Sequence, residues 1–139
     1  MTTIIDAPPL QPRAMLWTGR AFGGLVVLFL IFDSVIKLIP VPEVLSSMRD
    51  LGYPVSVELA RFLGILLLIC TALYVWPRTA LLGAVLLTGY LGGAIATHVR
   101  VGNPLFTHTF FGIYLGLLIW GGLFLRDPEI RMLFPFRRS

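Results

Sequence analysis

The chain has 139 residues, of which 57% are hydrophobic and 13% charged, and its formal net charge is +4. A soluble domain carries about a quarter charged residues, so this composition predicts an integral membrane protein. The basic residues are mostly arginines near predicted helix ends, which favours contact with lipid headgroups over nucleic acid. The single cysteine, Cys70, excludes a dithiol relay within the chain.

Four apolar runs follow an N-terminal segment that has no Lys or Arg before Arg13. That segment lacks the features of a cleavable signal, so residues 1–14 are predicted to be a disordered tail and the first run a signal anchor. A bilayer core of about 30 Å takes roughly 20 residues of helix. The runs at 16–39, 57–76, 79–98 and 105–125 meet this length. The predicted fold class is all-α, an integral membrane four-helix bundle over residues 15–126.

Two shorter amphipathic segments are predicted outside the four runs. Between spans 1 and 2, Pro42 suits a helix start and Gly52 a C-terminal cap, and the apolar residues between them recur at helical spacing. After span 4, Asp127 is a predicted N-cap and Pro128 a first helical residue. Residues 127–139 are therefore predicted to be an amphipathic, basic tail, with Ile130, Leu133 and Phe134 facing lipid.

The arginine distribution predicts the orientation in the membrane. Seven arginines lie on the side of the termini and of the span 2–3 link, whereas four basic residues lie at the opposite side. Because cytoplasmic loops carry the excess of Lys and Arg, both termini are predicted to be cytoplasmic.

Pairs of glycines four residues apart occur in three of the spans. Such pairs let helix backbones approach closely, so they predict helix packing within the chain or, alternatively, a homodimer face. The predicted packing positions are Gly19, Gly23, Gly89, Gly93, Gly112 and Gly116.

Seven polar side chains are predicted to gather at one end of the bundle, where spans 1 and 3 end and spans 2 and 4 begin. We call this end the polar pole. Charged side chains inside a membrane usually face a bundle interior or a water-filled cavity, so these residues form the predicted ligand-binding site, although ion pairs or headgroup contacts would explain them too. They are Asp33, Lys37, Glu58, Arg61, His98, Arg100 and His108.

The same pole contains aromatic residues, including Phe29, Phe32, Tyr90, Phe111 and Tyr114, which suit either a ligand pocket or ordinary packing. The two histidines lack a metal-binding spacing motif, so neither a metal nor haem is expected. The sequence contains no nucleophile–base pair, Gly-rich phosphate loop or zinc motif. We therefore expect no catalytic residue and no enzyme activity from this chain alone.

Several segments resemble the DoxX-like family of small four-span bacterial membrane proteins. The resemblance covers about residues 15–135 and implies location in the bacterial inner membrane. Because the family takes its name from a subunit associated with a thiosulfate:quinone oxidoreductase, the resemblance implies a quinone as a possible cofactor. Many relatives carry a glutamate in the second span where this chain has Leu67. The matching segments are residues 31–38, 51–54, 76–87, 88–94, 97–100 and 120–127.

Three functions agree with the predicted bundle and its polar pole. The first is a ligand-binding or redox-accessory subunit that holds a quinone or lipid at the polar pole, where Lys37, Arg61 or a histidine would donate hydrogen bonds. The second is a non-enzymatic assembly protein that acts through a membrane protein partner or a homodimer. The third is a small transporter, which the absence of a duplicated half argues against.

Overall fold

The computed structural model describes residues 12–39, 41–104 and 110–133, and these ranges contain helices and turns but no strand. Helices α1, α3 and α4 are each long and apolar enough to cross a membrane, and α5 is a shorter apolar helix. The predicted all-α membrane bundle is thereby confirmed. The helices are α1 (Arg13–Leu38), α2 (Pro42–Asp50), α3 (Val57–Val75), α4 (Ala80–Arg100), α5 (Phe110–Arg126) and α6 (Pro128–Leu133).

The four long helices close into a ring. Helix α1 packs against α3 and α5, and α4 packs against the same two helices. The ring order is therefore α1, α3, α4, α5, with neighbouring helices antiparallel. The polar pole is the end at which α1 and α4 finish and α3 begins, and short α2 packs on α3 there.

The core lies along the axis of the ring, and its residues are almost completely buried. Leu67 of α3 and Leu87 of α4 are 0% exposed, and the hydroxyl of buried Tyr74 donates to the Ile119 carbonyl at 2.7 Å. Large apolar side chains also cover the outside, where Leu28 is 70% exposed and Leu117 is 66% exposed. Apolar exposure of this extent suits a lipid bilayer around the bundle.

The seam between α1 and α5 depends on glycines. A Cβ on Gly19 would lie 2.9 Å from both the Arg126 nitrogen and the Gly122 oxygen, and a Cβ on Gly122 would lie 3.0 Å from the Gly23 nitrogen. Similarly, a Cβ on Gly112 would lie 2.8 Å from the Ile95 side chain. At these positions the helices approach each other closely, as small residues allow.

Gly89, Gly93 and Gly116 behave differently. Among the described residues, no atom outside the local helix backbone lies within 4 Å of the place that a Cβ would occupy on any of the three. A role of these three glycines in helix packing therefore stays a prediction. A four-residue spacing places two glycines on one face of a helix, but it does not say whether that face meets another helix.

The turns at the polar pole use glycine in a left-handed conformation. Gly52 has a φ of +78°, its N–H donates to the Arg49 carbonyl, and the Tyr53 N–H donates to the Met48 carbonyl. This pattern is a Schellman cap, which satisfies the last carbonyls of α2 as the sequence predicts for Gly52. Gly102, with a φ of +74°, caps α4 by the same pair of hydrogen bonds.

The two ends of the chain differ in part from the sequence-based expectations. Residues 1–11 and 134–139 lie outside the described residues, whereas Arg13 and Ala14, assigned to the tail, already belong to α1. Asp127 accepts a hydrogen bond from the Glu129 N–H at 2.9 Å, as expected of an N-cap. The expectation that Ile130 faces lipid is wrong, because its side chain is 7% exposed and packs in the main core.

Candidate functional site

A cavity of about 510 Å³ opens at the polar pole. Helix α2 forms one wall, and the other walls come from the ends of α1, α4 and α5 nearest that pole. Three of the seven predicted site residues line the cavity, namely Asp33, Lys37 and His98. His108 lies outside the described residues, and the remaining three have other positions.

A hydrogen-bonded trio forms the polar centre of the cavity. Asp33 and Lys37 are four residues apart on α1, so they share a face, and Lys37 Nζ donates to Asp33 Oδ2 at 2.5 Å. Lys37 Nζ also donates to the Tyr90 hydroxyl of α4 at 3.1 Å. The Lys37 and Asp33 side chains are 20% and 27% exposed. This is the one ion pair within the described ranges.

The trio lies deeper in the membrane than the end of α1 at the polar pole. Asp33 is five residues before Leu38, the last residue of the helix, which corresponds to a depth of about 7.5 Å at a rise of roughly 1.5 Å per residue. Apolar side chains surround it, including Phe29, Phe111 and Leu115. A few convergent polar groups between apolar and aromatic walls are typical of a small-molecule site.

Further polar groups line the mouth of the cavity. The Thr97 hydroxyl donates its proton to the Gly93 carbonyl at 2.8 Å. The Tyr53 hydroxyl lies 3.0 Å from the Thr97 hydroxyl. Because the Thr97 proton is already used, Tyr53 is the donor in this contact. The Asn103 amide lies 2.7 Å from His98 Nδ1. In a neutral imidazole that contact places the ring proton on Nε2. Glu43 and Ser47 of α2 complete the polar lining.

The other predicted site residues stabilise helix ends outside the cavity. Arg61 Nε donates to the Leu38 carbonyl at 3.4 Å, where α1 ends. Glu58 accepts a hydrogen bond at 2.9 Å from Ser56, whose hydroxyl also accepts from the Leu59 N–H as the N-cap of α3. Arg100 Nη2 donates to the Leu51 carbonyl at 2.7 Å and so connects α4 to the end of α2.

Three polar residues of the cavity are not among the predicted site residues. The sequence predicts Tyr90 only as an aromatic residue near the pole, and it does not predict Tyr53 or Thr97 as site residues. Tyr90, Ala94 and Thr97 follow the spacing i, i+4, i+7, which places them on one face of α4. The sequence signal for these residues is this face of α4, followed from His98 toward the middle of the membrane.

The expected aromatic lining is found in part. Phe29, Tyr90 and Phe111 line the cavity, whereas Phe32 is 63% exposed and Tyr114 is 48% exposed on the outside of the bundle. Within the described ranges, no group of three or more His, Cys, Asp or Glu side chains is placed to hold a metal ion.

The model of the DoxX-like family matches residues 21–122, which is more than two thirds of the chain. The chain belongs to the DoxX-like family. The match includes α1 from its third turn onward and extends to the last turns of α5, so all the described cavity residues of this DoxX-like protein lie inside it. No curated protein and no solved structure matches the chain.

At the position where the resemblance implies a glutamate in many relatives, this DoxX-like protein has Leu67. The Leu67 side chain is 0% exposed and packs in the main hydrophobic core. The Asp33–Lys37–Tyr90 trio lies instead on α1 and α4.

Proposed function

We propose that this DoxX-like protein is a ligand-binding or redox-accessory membrane protein whose cavity at the polar pole holds the carbonyl-bearing head of a quinone or lipid. The observation that carries the proposal is the Asp33–Lys37–Tyr90 trio inside a cavity of about 510 Å³. That volume lies within the range of small-molecule sites, roughly 300–1,000 Å³.

The hydrogen-bonding capacity of the trio indicates the ligand chemistry. An ammonium group has three N–H donors, and two of those on Lys37 are used by Asp33 and Tyr90. The Tyr90 oxygen accepts from Lys37, and its own O–H has no acceptor among the described residues. The trio thus presents two donors to a ligand, which suits a carbonyl oxygen. Asp33 keeps the site close to neutral, so an uncharged head fits better than an anionic one.

The first experiment is to extract purified protein with organic solvent and identify bound molecules by mass spectrometry, together with an absorption spectrum. We expect a quinone or a defined lipid at close to one per protein, and the mass distinguishes these two sources. A folded protein that carries no ligand would contradict the proposal.

Two variants test whether the trio holds the ligand. Hydrogen bonds to a charged group contribute about 1.5–3 kcal/mol and neutral ones about 1 kcal/mol, so Lys37→Met is expected to lower retention more than Tyr90→Phe. Arg61→Leu is the matched control, because it removes a charge at the same pole without changing the cavity lining. Equal retention in Lys37→Met and Arg61→Leu would overturn the assignment.

We infer further that the protein lies in the inner membrane with its termini in the cytoplasm and its cavity on the outer side. Arg13, Arg20, Arg78, Arg126 and Arg131 lie at the pole opposite the cavity, and this excess favours the cytoplasmic side. A cysteine introduced on exposed α2 by Ser46→Cys, with Cys70→Ser, tests the orientation. An impermeant thiol reagent added to intact cells should label it, and labelling only after lysis would reverse the orientation.

A further inference from the structure

A second cavity, of about 370 Å³, lies between α3 and α4 on the side that faces lipid. It is lined by Leu66 and Cys70 of α3 and by Val85, Leu86, Gly89 and Tyr90 of α4. Apart from the Tyr90 hydroxyl and the Cys70 thiol, this lining is wholly apolar. We call this cavity the α3–α4 groove.

The groove adjoins the cavity at the polar pole, because Gly89 and Tyr90 line both. Gly89 lies where the two spaces adjoin, and among the described residues no atom outside its local helix backbone lies within 4 Å of the place that its Cβ would occupy. The distance from Val85 in the groove to His98 at the cavity mouth is 13 residues of one helix, about 20 Å. The two spaces therefore lie one after the other along α4, from the membrane interior to the polar edge, and we call this course the path.

The polarity of this path changes along its length. The Lys37–Tyr90 hydrogen bond of 3.1 Å lies where the two spaces meet, charged and hydroxyl groups line the end toward the pole, and aliphatic side chains line the end toward the membrane centre. An amphiphile has the same division between a polar head and a hydrocarbon chain. The α3–α4 groove is single, so it has room for one hydrocarbon chain.

We propose that the α3–α4 groove holds the hydrocarbon chain of an amphiphile whose carbonyl-bearing head occupies the cavity at the polar pole, and that this ligand reaches its site sideways from the bilayer, between α3 and α4. The proposal rests on the proposed function and names the class of ligand. Since lipid tails are as apolar as the groove, chain burial supplies little net drive. The polar head therefore provides the affinity, and the groove selects a molecule with an attached chain.

Gly89 controls passage along the path. A Cβ at this position meets no described atom outside the local helix backbone within 4 Å, and Gly89 lines both spaces, so a larger side chain has room to extend where they adjoin. Gly89→Leu is thus expected to fold normally and to block the path. Gly24→Leu is the matched control, since Gly24 is an exposed glycine within α1 that also has no atom within 4 Å of a Cβ and lines neither cavity.

Photocrosslinking on the purified protein in phosphatidylethanolamine vesicles tests the proposal. Two probes carry the same hydrocarbon chain with a diazirine near its free end, one on a benzoquinone head and one on a monoacylglycerol head. For the probe that binds, we expect saturable crosslinks at Leu66, Val85 or Leu86. In Gly89→Leu this labelling should fall about tenfold, the change produced by ~1.4 kcal/mol of lost affinity, whereas Gly24→Leu should label like the unmodified protein.

Each outcome separates this inference from the proposed function. Crosslinks spread over the lipid-facing surface, for example at Leu28 and Phe62, or labelling unchanged by Gly89→Leu would overturn the groove assignment. If Lys37→Met still lowers ligand retention in that case, the head site stands without the groove. Absence of specific labelling by either probe, with no co-purified ligand, would overturn both. Should Gly89→Leu fail to fold, the crosslink positions on the unmodified protein decide the question alone.

Discussion

Substituting alanine for Gly122 tests the reasoning about helix packing most directly. The new Cβ would lie 3.0 Å from the Gly23 nitrogen and 3.1 Å from the Gly19 oxygen. Both are backbone atoms of α1, which cannot rotate away as a side chain can, so α1 and α5 must separate. Overpacking of this kind costs roughly 1–3 kcal/mol. We expect Gly122→Ala to lower the free energy of unfolding by that amount.

The control lies on the same helix. Gly116 is six residues away on α5, and in the described part of the chain no atom outside the local helix backbone lies within 4 Å of its Cβ position. Alanine has a higher helix propensity than glycine, by up to about 1 kcal/mol, so Gly116→Ala should leave the stability unchanged or raise it slightly. A second pair on α1 repeats the comparison, with Gly19→Ala at the seam and Gly24→Ala facing open space.

The assay is reversible unfolding by sodium dodecyl sulfate in mixed micelles, followed by circular dichroism. The seam variants should unfold at lower detergent fraction than the unmodified protein, and the two controls should not. Equal shifts in Gly122→Ala and Gly116→Ala, or a more stable Gly122→Ala, would refute the argument, because the effect would then come from helix propensity and not from contact between α1 and α5.

Three further predictions concern single hydrogen bonds. Ser56→Ala removes the N-cap of α3 and should cost about 0.5–2 kcal/mol, measured as the same unfolding free energy; Ser56→Asp should retain most of it. Arg100→Met removes the donor to the Leu51 carbonyl, so amide exchange at 51–53 should accelerate; unchanged exchange would mean that Arg100 does not hold α2. Trp120→Phe and Thr88→Val each remove the 2.8 Å contact from Trp120 Nε1 to Thr88 Oγ1. A double-mutant cycle should give a coupling of about 1 kcal/mol, and additive effects would contradict it.

The fold follows from features that a sequence displays directly. Long apolar runs predict α1, α3 and α4, and the positions of Pro42 and Gly52 predict the bounds of α2, because length, hydropathy and helix ends are local properties. The expectation for Ile130 fails since a short amphipathic segment looks the same whether it lies on lipid or on the bundle.

The candidate site is harder to predict, because sequence position gives the depth of a residue in the membrane but not the direction of its side chain. Lys37 and Arg61 both lie near the polar pole. Lys37 lines the cavity, whereas Arg61 donates a hydrogen bond to the Leu38 carbonyl at the end of α1. Tyr90 lies deeper than His98 and joins the site because its face of α4 turns toward α1. Directions of this kind depend on how the helices rotate when the ring closes.

The order of helices around the ring has a consequence for synthesis in the cell. Helix α1 leaves the ribosome before the other three helices of the ring, whereas one of its two packing partners, α5, is made after them. Until α5 is inserted, the backbone at Gly19 and Gly23 lacks the surface that covers it in the finished protein. A chain interrupted before α5 would therefore present an open helix face to other membrane proteins, so quality control of this protein has a defined feature to recognise.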